Sequence, residues 1–291
     1  MKMAAIFKES RNMKKKKINK VIIYILIVLV GIIMVYPLLW MIMASFKTNS
    51  EIFGSVKLLP KSFSLDSFIE GWKGTGQYTY GTYFLNTIIL VVPTTLFTVL
   101  SSAIVAYGFS RFRFPGKKIL LGVLIATLML PSTVVIIPRY TLYNSLGWLD
   151  TYLPFYVPAL LACNAFFVYM LIQFIRGIPR ELDEAAYIDG CGSFKTFSTI
   201  LLPLMKPALF SAGLFQFLWT YNDFFNSLIY INSVNKYPIS LALRTAIDAD
   251  ANIQWNEIMA MSVVSVLPLI VLYFMGQKYF VQGIATSGLK G

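Results

Sequence analysis

The sequence predicts an all-α membrane protein with six transmembrane helices and with its N and C termini in the cytoplasm. The first observation is composition, since 57% of the 291 residues are hydrophobic and only 13% are charged. About a quarter of the residues in a soluble domain are charged. The second observation is a series of six apolar runs, and the third is the distribution of lysine and arginine between those runs. Together they exclude a soluble globular domain.

The first apolar run, residues 21–44, follows a segment that holds eight lysine and arginine residues. A basic segment before an apolar run is also typical of a signal peptide. This run has the length that a bilayer span needs, about 20 residues, and no small-residue cleavage site follows it. We therefore expect an uncleaved first span. The other five predicted spans are residues 83–109, 119–140, 152–175, 207–231 and 258–280.

Lysine and arginine predict the orientation of the spans. With both termini inside, the cytoplasmic segments hold 18 of the 25 Lys and Arg residues and the outer segments hold six. Positive residues are enriched on the cytoplasmic side of membrane proteins, so the distribution favours this topology. It divides the chain into a basic cytoplasmic tail (1–20), a first transmembrane helix with an outer loop (21–80), a five-helix core with a cytoplasmic loop at 176–206 (81–280) and a cytoplasmic tail (281–291).

The loop between the fourth and fifth predicted spans carries several helix signals. Pro179 suits a first helical position, and the carboxylates that follow it favour the positive end of a helix dipole. Gly190 is able to adopt the left-handed conformation that ends a helix. Ser193 is a candidate N-cap for a second short helix. These signals predict a short helix, followed by a second one, between two membrane spans. An ordinary loop with helical character is the alternative.

The same loop resembles the EAA loop of ABC importer permeases. The matching residues are Glu184, Ala185 and Ala186, then Gly190 after three residues, and finally Ile200 and Leu202-Pro203. In that family the loop docks into a cleft on a separate ATP-hydrolysing subunit. The resemblance therefore implies that Glu184, Ala185, Ala186 and Gly190 couple this chain to an ATPase. The small side chains of Ala185 and Ala186 would let a groove of the ATPase approach the helix closely.

Three further stretches resemble the carbohydrate-importing branch of these permeases, in its maltose-permease type. They are residues 108–118, residues 221–228, in which Tyr221 replaces the usual tryptophan, and residues 276–291. The resemblance implies a type I ABC importer permease that is not itself an enzyme, in a bacterial or archaeal plasma membrane. It also implies a second permease as a heterodimer partner, two ATPase subunits or domains that hold ATP and Mg²⁺, and an extracytoplasmic solute-binding protein. No cofactor is expected on this chain.

Polar residues inside the predicted spans are the candidates for a solute path. Asp223 is an intramembrane carboxylate, which usually faces a bundle interior or a water-filled cavity. Aromatic rings stack on sugars, while amides and carboxylates bond hydroxyls. This mixture suits a sugar path, with interhelical hydrogen bonding as the alternative. The candidates are Asn164, Trp219, Tyr221, Asn222, Asp223 and Asn226.

Several other classes of function are disfavoured. The chain has no histidine and two cysteines, so a His-based catalytic triad is excluded and a disulfide framework or a Cys/His metal site is not expected. It lacks the P-loop spacing of glycines, lysine and serine or threonine. The net charge is +12, and the basic residues cluster beside the apolar runs. We therefore expect a lipid bilayer as partner and no nucleic acid.

Three rival functions stay open. An ion-coupled secondary transporter usually carries several intramembrane ionisable residues, and this chain offers one acid. A membrane enzyme would use clustered acids such as those of residues 181–189, which fit docking better. An importer of a phosphorylated solute such as glycerol phosphate would favour a cation in the path, for which Arg139 is the candidate.

Overall fold

The computed structural model describes residues 2–74, 77–248 and 253–288, and within them the chain forms helices and turns and no strand. The long helices are continuous where the sequence is apolar and end at proline, glycine or polar residues. The helices are α1 (Lys2–Ala44), α2 (Asn49–Gly54), α3 (Asp66–Lys73), α4 (Tyr80–Arg111), α5 (Lys117–Leu128), α6 (Ser132–Ser145), α7 (Leu153–Leu160), α8 (Ala165–Arg176), α9 (Glu181–Ile188), α10 (Ser193–Thr196), α11 (Leu202–Leu204), α12 (Lys206–Tyr221), α13 (Phe224–Tyr230), α14 (Ile239–Asp248) and α15 (Trp255–Gly288).

Four of the described helical segments are long and apolar enough to cross a membrane, and the number rises to six if two bent pairs each form one span. The four segments are Asn19–Ala44, Tyr80–Arg111, Leu153–Arg176 and Trp255–Gln277. The all-helical membrane class is therefore confirmed. The helices α1 and α15 also run through the predicted tails, although residues 289–291 lie outside the described part.

The predicted third and fifth spans are bent rather than straight. The helices α5 and α6 meet at 104°, and Pro131 lies at the bend as the N-cap of α6. The segment Ser193–Leu204 meets α12 at 75°, with Pro203 and Pro207 on either side of the break. Proline removes a backbone donor and restricts the preceding residue, so it bends or ends a helix. The fifth span breaks again between α12 and α13, at Asn222 and Asp223.

The chain divides into two compact units. The smaller contains residues up to 71 together with 254–263. Within it the first part of the predicted outer loop is tied to the start of α15, because the Trp255 amide donates to Asn49 Oδ1 at 3.1 Å and Asn256 Nδ2 donates to Ser67 Oγ at 2.9 Å. Phe46 packs against Phe63 and Phe68, with ring centroids 5.6 and 5.3 Å away. The apolar side chains of α1 from Val21 to Leu39 are largely exposed within this chain, as expected of a lipid-facing helix.

The larger unit contains residues 72–253 and 264–291. Helix α4 lies at its centre and contacts α7, α8, α12 and α14. One buried core joins α4 to α8 and to the segment that precedes α12; its members are Ala103, Ala106, Val168, Leu171, Ile172, Ile175, Phe197, Leu201, Met205 and Ala208. This core fixes one end of α4 beside the loop that contains α9.

Candidate functional site

Helix α9 begins and ends as its sequence signals predict, within two residues. Its first turn carries Glu181, Asp183 and Glu184, where carboxylates favour the positive end of the helix dipole. Gly190 has a φ of +76°, the left-handed conformation that most other residues avoid. The Cys191 amide donates to the Ala186 carbonyl at 2.9 Å and closes the helix end. Pro179 precedes the helix, which begins at Glu181.

The second short helix begins one residue earlier than expected. Its N-cap is Gly192, so the prediction that Ser193 caps it is wrong, and Ser193 is the first helical residue. The Ser193 carbonyl instead accepts a hydrogen bond from the Tyr107 hydroxyl at 3.0 Å. Because Tyr107 belongs to α4, this bond ties the loop to the central helix.

A nearly buried ion pair anchors α9 to the end of α4. Arg111 Nε lies 2.8 Å from Asp183 Oδ2, with side chains 8% and 22% exposed. The Arg111 guanidinium also donates to the Ile178 carbonyl at 3.0 Å. Together with Tyr107 these contacts hold the loop before, within and after α9. Sequence reasoning missed this anchor, although Arg111 lies in the stretch 108–118 that resembles the permease family.

The four predicted coupling residues have different environments. Glu184, Ala185 and Gly190 are exposed, whereas Ala186 is 3% exposed. Ala186 therefore packs within this chain and does not offer its methyl group to a partner as expected, and the coupling roles stay predictions. The exposed apolar side chains near Gly190 are larger: Tyr187, Ile188 and Phe194 are each more than four-fifths exposed. We call these three residues the loop face.

The larger unit also contains a cavity of about 890 Å³. Helices α4, α5, α6, α7, α8, α12 and α13 contribute to its walls. Its polar lining residues are Thr94, Thr98, Thr127, Ser132, Arg139, Asn164, Gln216, Thr220, Asp223 and Asn226, and its aromatic lining residues are Tyr143, Trp148, Phe155, Phe166 and Tyr230. The cavity thus offers hydrogen-bond donors and acceptors of both charge signs beside aromatic rings.

Asp223 lines this cavity and also caps α13. Its Oδ1 accepts a hydrogen bond from the Asn226 amide at 3.1 Å, and its Oδ2 accepts one from Asn226 Nδ2 at 2.8 Å. The Ser227 hydroxyl donates to the Asp223 carbonyl at 2.6 Å. These bonds explain why the sequence places a carboxylate at a break in a predicted span, because an N-cap satisfies backbone donors that a helix start leaves free.

Asn164 joins α8 to α12 through a short polar chain. Its Nδ2 donates to Gln216 Oε1 at 3.4 Å, and Gln216 Nε2 donates to the Thr220 hydroxyl at 2.7 Å. Asn164, Asp223 and Asn226 are therefore the three predicted path residues that the structure brings together around the cavity.

The other three predicted path residues do not line this cavity. Trp219 packs against Phe166 and Phe167, with ring centroids 5.1 Å from each. The Tyr221 hydroxyl is buried and donates to the Ser265 carbonyl at 2.7 Å. Asn222 is exposed and donates to the Leu218 carbonyl at 2.8 Å. Their place in a solute path stays a prediction.

One cavity residue that sequence reasoning missed lies in a connecting segment. Trp148, between α6 and α7, lines the cavity, and the available signal was a tryptophan directly after Gly147 in a predicted outer loop. Arg139, the candidate cation for a phosphorylated solute, also lines the cavity. In the part of the chain described here, no three Cys, Asp or Glu side chains cluster as metal ligands would.

Residues 98–286 match the protein family described as "Binding-protein-dependent transport system inner membrane component". The chain belongs to this family. The resemblance to ABC importer permeases is thereby confirmed, and the permease is a multi-pass membrane protein.

Two relatives align along almost the whole permease. It is 35% identical over 278 residues to "Probable ABC transporter permease protein YurM" of Bacillus subtilis, an alignment that covers 96% of this chain and 91% of the relative. It is 31% identical over 281 residues to "Trehalose/maltose transport system permease protein MalG" of Thermococcus litoralis, with 96% and 100% covered.

A solved structure shares the fold. It is described as "Crystal structure of a bacterial ABC transporter involved in the import of the acidic polysaccharide alginate". The permease superposes on one of its chains with a TM-score of 0.79 and 23% identity, covering 91% of this chain and 97% of that chain. At this identity the likeness concerns the fold alone.

Proposed function

We propose that this permease forms part of the membrane path of an ATP-driven importer of sugars, oligosaccharides in particular. The observation that carries the proposal is that one continuous helix joins both parts of the candidate site. Helix α4 contributes Thr94 and Thr98 to the cavity wall, and its last residue, Arg111, pairs with Asp183 in α9. A displacement of α9 is therefore passed to the cavity through a rigid element.

The sugar class rests on the cavity and on the names of relatives. The cavity places hydroxyl, amide and carboxylate groups beside aromatic rings, which is the chemistry that polyhydroxylated rings require. Relatives are named as transport permeases for trehalose/maltose, arabinooligosaccharides and diacetylchitobiose. These names support a sugar as the solute of this permease.

In this proposal the chain crosses a bacterial or archaeal plasma membrane six times, with both termini in the cytoplasm. Two bent pairs that each count as one span support the number six. The excess of lysine and arginine in the segments assigned to the cytoplasm supports the orientation. The loop that contains α9 is then cytoplasmic, and the segments after α6 and α13 are extracytoplasmic.

The loop face is the proposed docking surface for a separate ATPase subunit. Tyr187, Ile188 and Phe194 are exposed apolar side chains outside the predicted spans, and such patches typically mark protein interfaces. Glu184 is exposed on α9, the helix that also carries Tyr187 and Ile188. In the proposed complex, ATP and Mg²⁺ bind to the ATPase, a second permease completes the path and a solute-binding protein delivers the sugar.

The proposed mechanism is alternating access between two global states. Closure of the ATPase pair on ATP moves α9, and the anchor at Arg111 passes this movement to α4. The cavity then changes from inward-facing to outward-facing, because each ligand favours one of the two states. The chemistry of hydrolysis takes place on the partner subunit.

A second candidate solute is an anion such as glycerol phosphate. The observation that favours it is the presence of Arg139 on the cavity wall. Asp223 lines the same cavity and repels an anion, so a neutral sugar fits the lining better.

Uptake by the reconstituted transporter tests the proposal. Proteoliposomes that contain the permease with its partner subunits are loaded with ATP and offered radiolabelled maltose, trehalose, arabinotriose, diacetylchitobiose and glycerol 3-phosphate. We expect accumulation of at least one of the sugars that requires ATP and persists after ion gradients are collapsed. Accumulation of glycerol 3-phosphate alone favours the second candidate, and uptake driven by a gradient without ATP overturns both.

A further inference from the structure

The aromatic part of the cavity wall carries an inference about how the sugar is recognised. We propose that Trp148 is a stacking platform for a sugar ring and that Asp150 is the residue that positions it. This inference rests on the proposed sugar-import function and adds a binding surface that the sequence motifs do not contain.

Trp148 ends a ladder of packed aromatic rings. It stacks on Tyr143 with ring centroids 5.5 Å apart and an interplanar angle of 29°. Tyr143 meets Tyr230 edge-on at 5.2 Å, and Tyr230 meets Phe155 edge-on at 6.0 Å. Tyr143 and Tyr230 are buried, whereas Trp148 is half-buried. The two end rings, Trp148 and the equally half-buried Phe155, therefore have more surface open to a solute than the two middle rings, and the Trp148 indole is the larger of the two ring systems.

The backbone around Trp148 is held on both sides. Its amide donates to the Tyr143 carbonyl at 2.9 Å, and its carbonyl accepts a hydrogen bond from the Thr151 hydroxyl at 2.6 Å. Gly147 before it has a φ of +68° and supplies the tight turn. A ring fixed in this way loses little conformational entropy when it binds a ligand, which favours recognition by a preorganised surface.

Asp150 ties this segment to the one that follows α13. Its Oδ1 accepts hydrogen bonds from the amides of Asn232 and Ser233 at 3.0 and 2.8 Å. Its Oδ2 accepts from the Ser233 hydroxyl at 2.6 Å and from Lys236 Nζ at 2.9 Å. The Asp150 amide donates to the Tyr230 carbonyl at 2.7 Å. Asp150 thus fixes Tyr230, and with it the ring ladder, relative to Trp148.

A sugar is the ligand that fits this surface. Pyranose rings present apolar C–H faces to aromatic rings and hydroxyl groups at their edges. The same cavity contains Arg139, Asp223 and Asn226, which bond hydroxyl groups as donors and acceptors. In the proposed topology Trp148 lies in the outer segment between α6 and α7, at the extracytoplasmic mouth where a delivered sugar enters.

The test compares Trp148→Leu with Trp148→Tyr in the reconstituted transporter. Leucine keeps an apolar side chain and removes the ring face, whereas tyrosine keeps a ring. For the sugar that the wild type accumulates best, we expect roughly a three- to tenfold slower uptake with leucine and a much smaller loss with tyrosine. We also expect leucine to change the ratio of uptake rates among the sugars, which a merely structural role would not change.

Trp72→Leu is the matched control. Trp72 also stacks on an aromatic ring, with its centroid 6.0 Å from that of Phe84, and it does not line the cavity. We expect it to leave the ratio of uptake rates unchanged. If Asp150 acts through Trp148, adding Asp150→Asn to Trp148→Leu slows uptake no further than Trp148→Leu alone.

Three outcomes overturn the inference, and they differ in what else fails. If the wild type accumulates sugar and Trp148→Leu has the same rate and the same ratios, the platform is wrong while sugar import stands. If the wild type accumulates no sugar, the platform and the proposed function fail together. An equal change of the ratios in Trp72→Leu also rejects the platform, because the effect would not belong to the cavity.

Discussion

Two acid–base pairs lie near the two ends of α4 and differ in how they are built. Arg111 and Asp183 form the nearly buried pair at the C-terminal end. Asp150 and Lys236 form the other pair, with side chains 29% and 40% exposed. Asn86 of α4 donates to the carbonyls of Asn235 and Tyr237 beside Lys236. A helix rises 1.5 Å per residue, so Asn86 and Arg111 lie about 40 Å apart along α4.

The difference between the pairs suggests different roles. The Arg111 pair is nearly buried, so each charge depends on the other, and removing one is costly. Asp150 instead has several hydrogen-bond donors besides Lys236, so the exposed ion pair adds little to a site that the backbone already holds. We infer that the Arg111–Asp183 pair transmits movement of α9 to α4. Asp150 instead keeps the surface around Trp148 rigid.

The largest effect is expected at the buried pair. Asp183→Asn leaves the nearly buried Arg111 without its anion, and removing one partner of a buried ion pair costs up to about 3–5 kcal/mol. We expect the α9 loop to loosen, so that sugar moved per ATP hydrolysed falls while the permease stays in the membrane. Uptake and ATPase activity measured together in proteoliposomes give this ratio.

The control for that variant is Glu181→Gln, which removes an exposed carboxylate from the same helix and should leave the ratio near the wild-type value. A charge exchange, Arg111→Asp with Asp183→Arg, should restore part of the sugar moved per ATP hydrolysed. An equal ratio in Asp183→Asn and Glu181→Gln would remove the distinction between the two ends of α4.

A smaller effect is expected from Gly190→Ala. Gly190 has a positive φ and no atom near the place of a Cβ, so the substitution costs only backbone strain, about 1 kcal/mol. Gly116 has a φ of +78° and equally open space, which makes Gly116→Ala its matched control. We expect similar losses of thermal stability, but a loss of coupling only for Gly190→Ala. Coupling reduced equally in both variants would contradict a special role for the end of α9.

The smallest effect is expected at Asp150, and it depends on pH. Partial burial alone would raise the pKa of Asp150, but hydrogen bonds from Ser233, Lys236 and Asn232 outweigh it and hold that pKa well below its usual range. A carboxyl with a lowered pKa stabilises the fold above its unfolded-state pKa, about 3.9, and this stabilisation is lost as the pH falls further. The exposed ion pair itself contributes roughly 0.2–1 kcal/mol.

Thermal unfolding of Asp150→Asn against the wild type tests this dependence. We expect the wild-type advantage to be constant between about pH 7 and 5 and to shrink below about pH 4. An advantage that grows as the pH falls would show that the carboxylate is not the stabilising form.

The helical class, the loop helix and its left-handed end were predictable from the sequence. Apolar runs and the glycine at the end of α9 are local signals, and local signals decide where helices form and stop. The turn at Gly190 follows from one residue type and needs no tertiary contact.

The ion pair of Arg111 and the ladder that ends at Trp148 were not predictable in the same way. Arg111 and Asp183 are distant in the sequence, and only the packing of α4 brings them together. Trp148 lies in a connecting segment without periodicity, so no pattern marks the wall that it lines. The burial of Ala186 likewise depends on tertiary neighbours, which a motif match does not describe.

The central claim is that movement of an ATPase reaches the cavity through α9. Ile188→Asp places a charge in the loop face, where Ile188 is 84% exposed, and Val56→Asp places one at a fully exposed residue elsewhere. The direct measurement is ATP-dependent sugar uptake together with the ATPase retained on the purified permease. The account predicts that Ile188→Asp loses both while Val56→Asp keeps both. Wild-type uptake and wild-type ATPase retention in Ile188→Asp would contradict it.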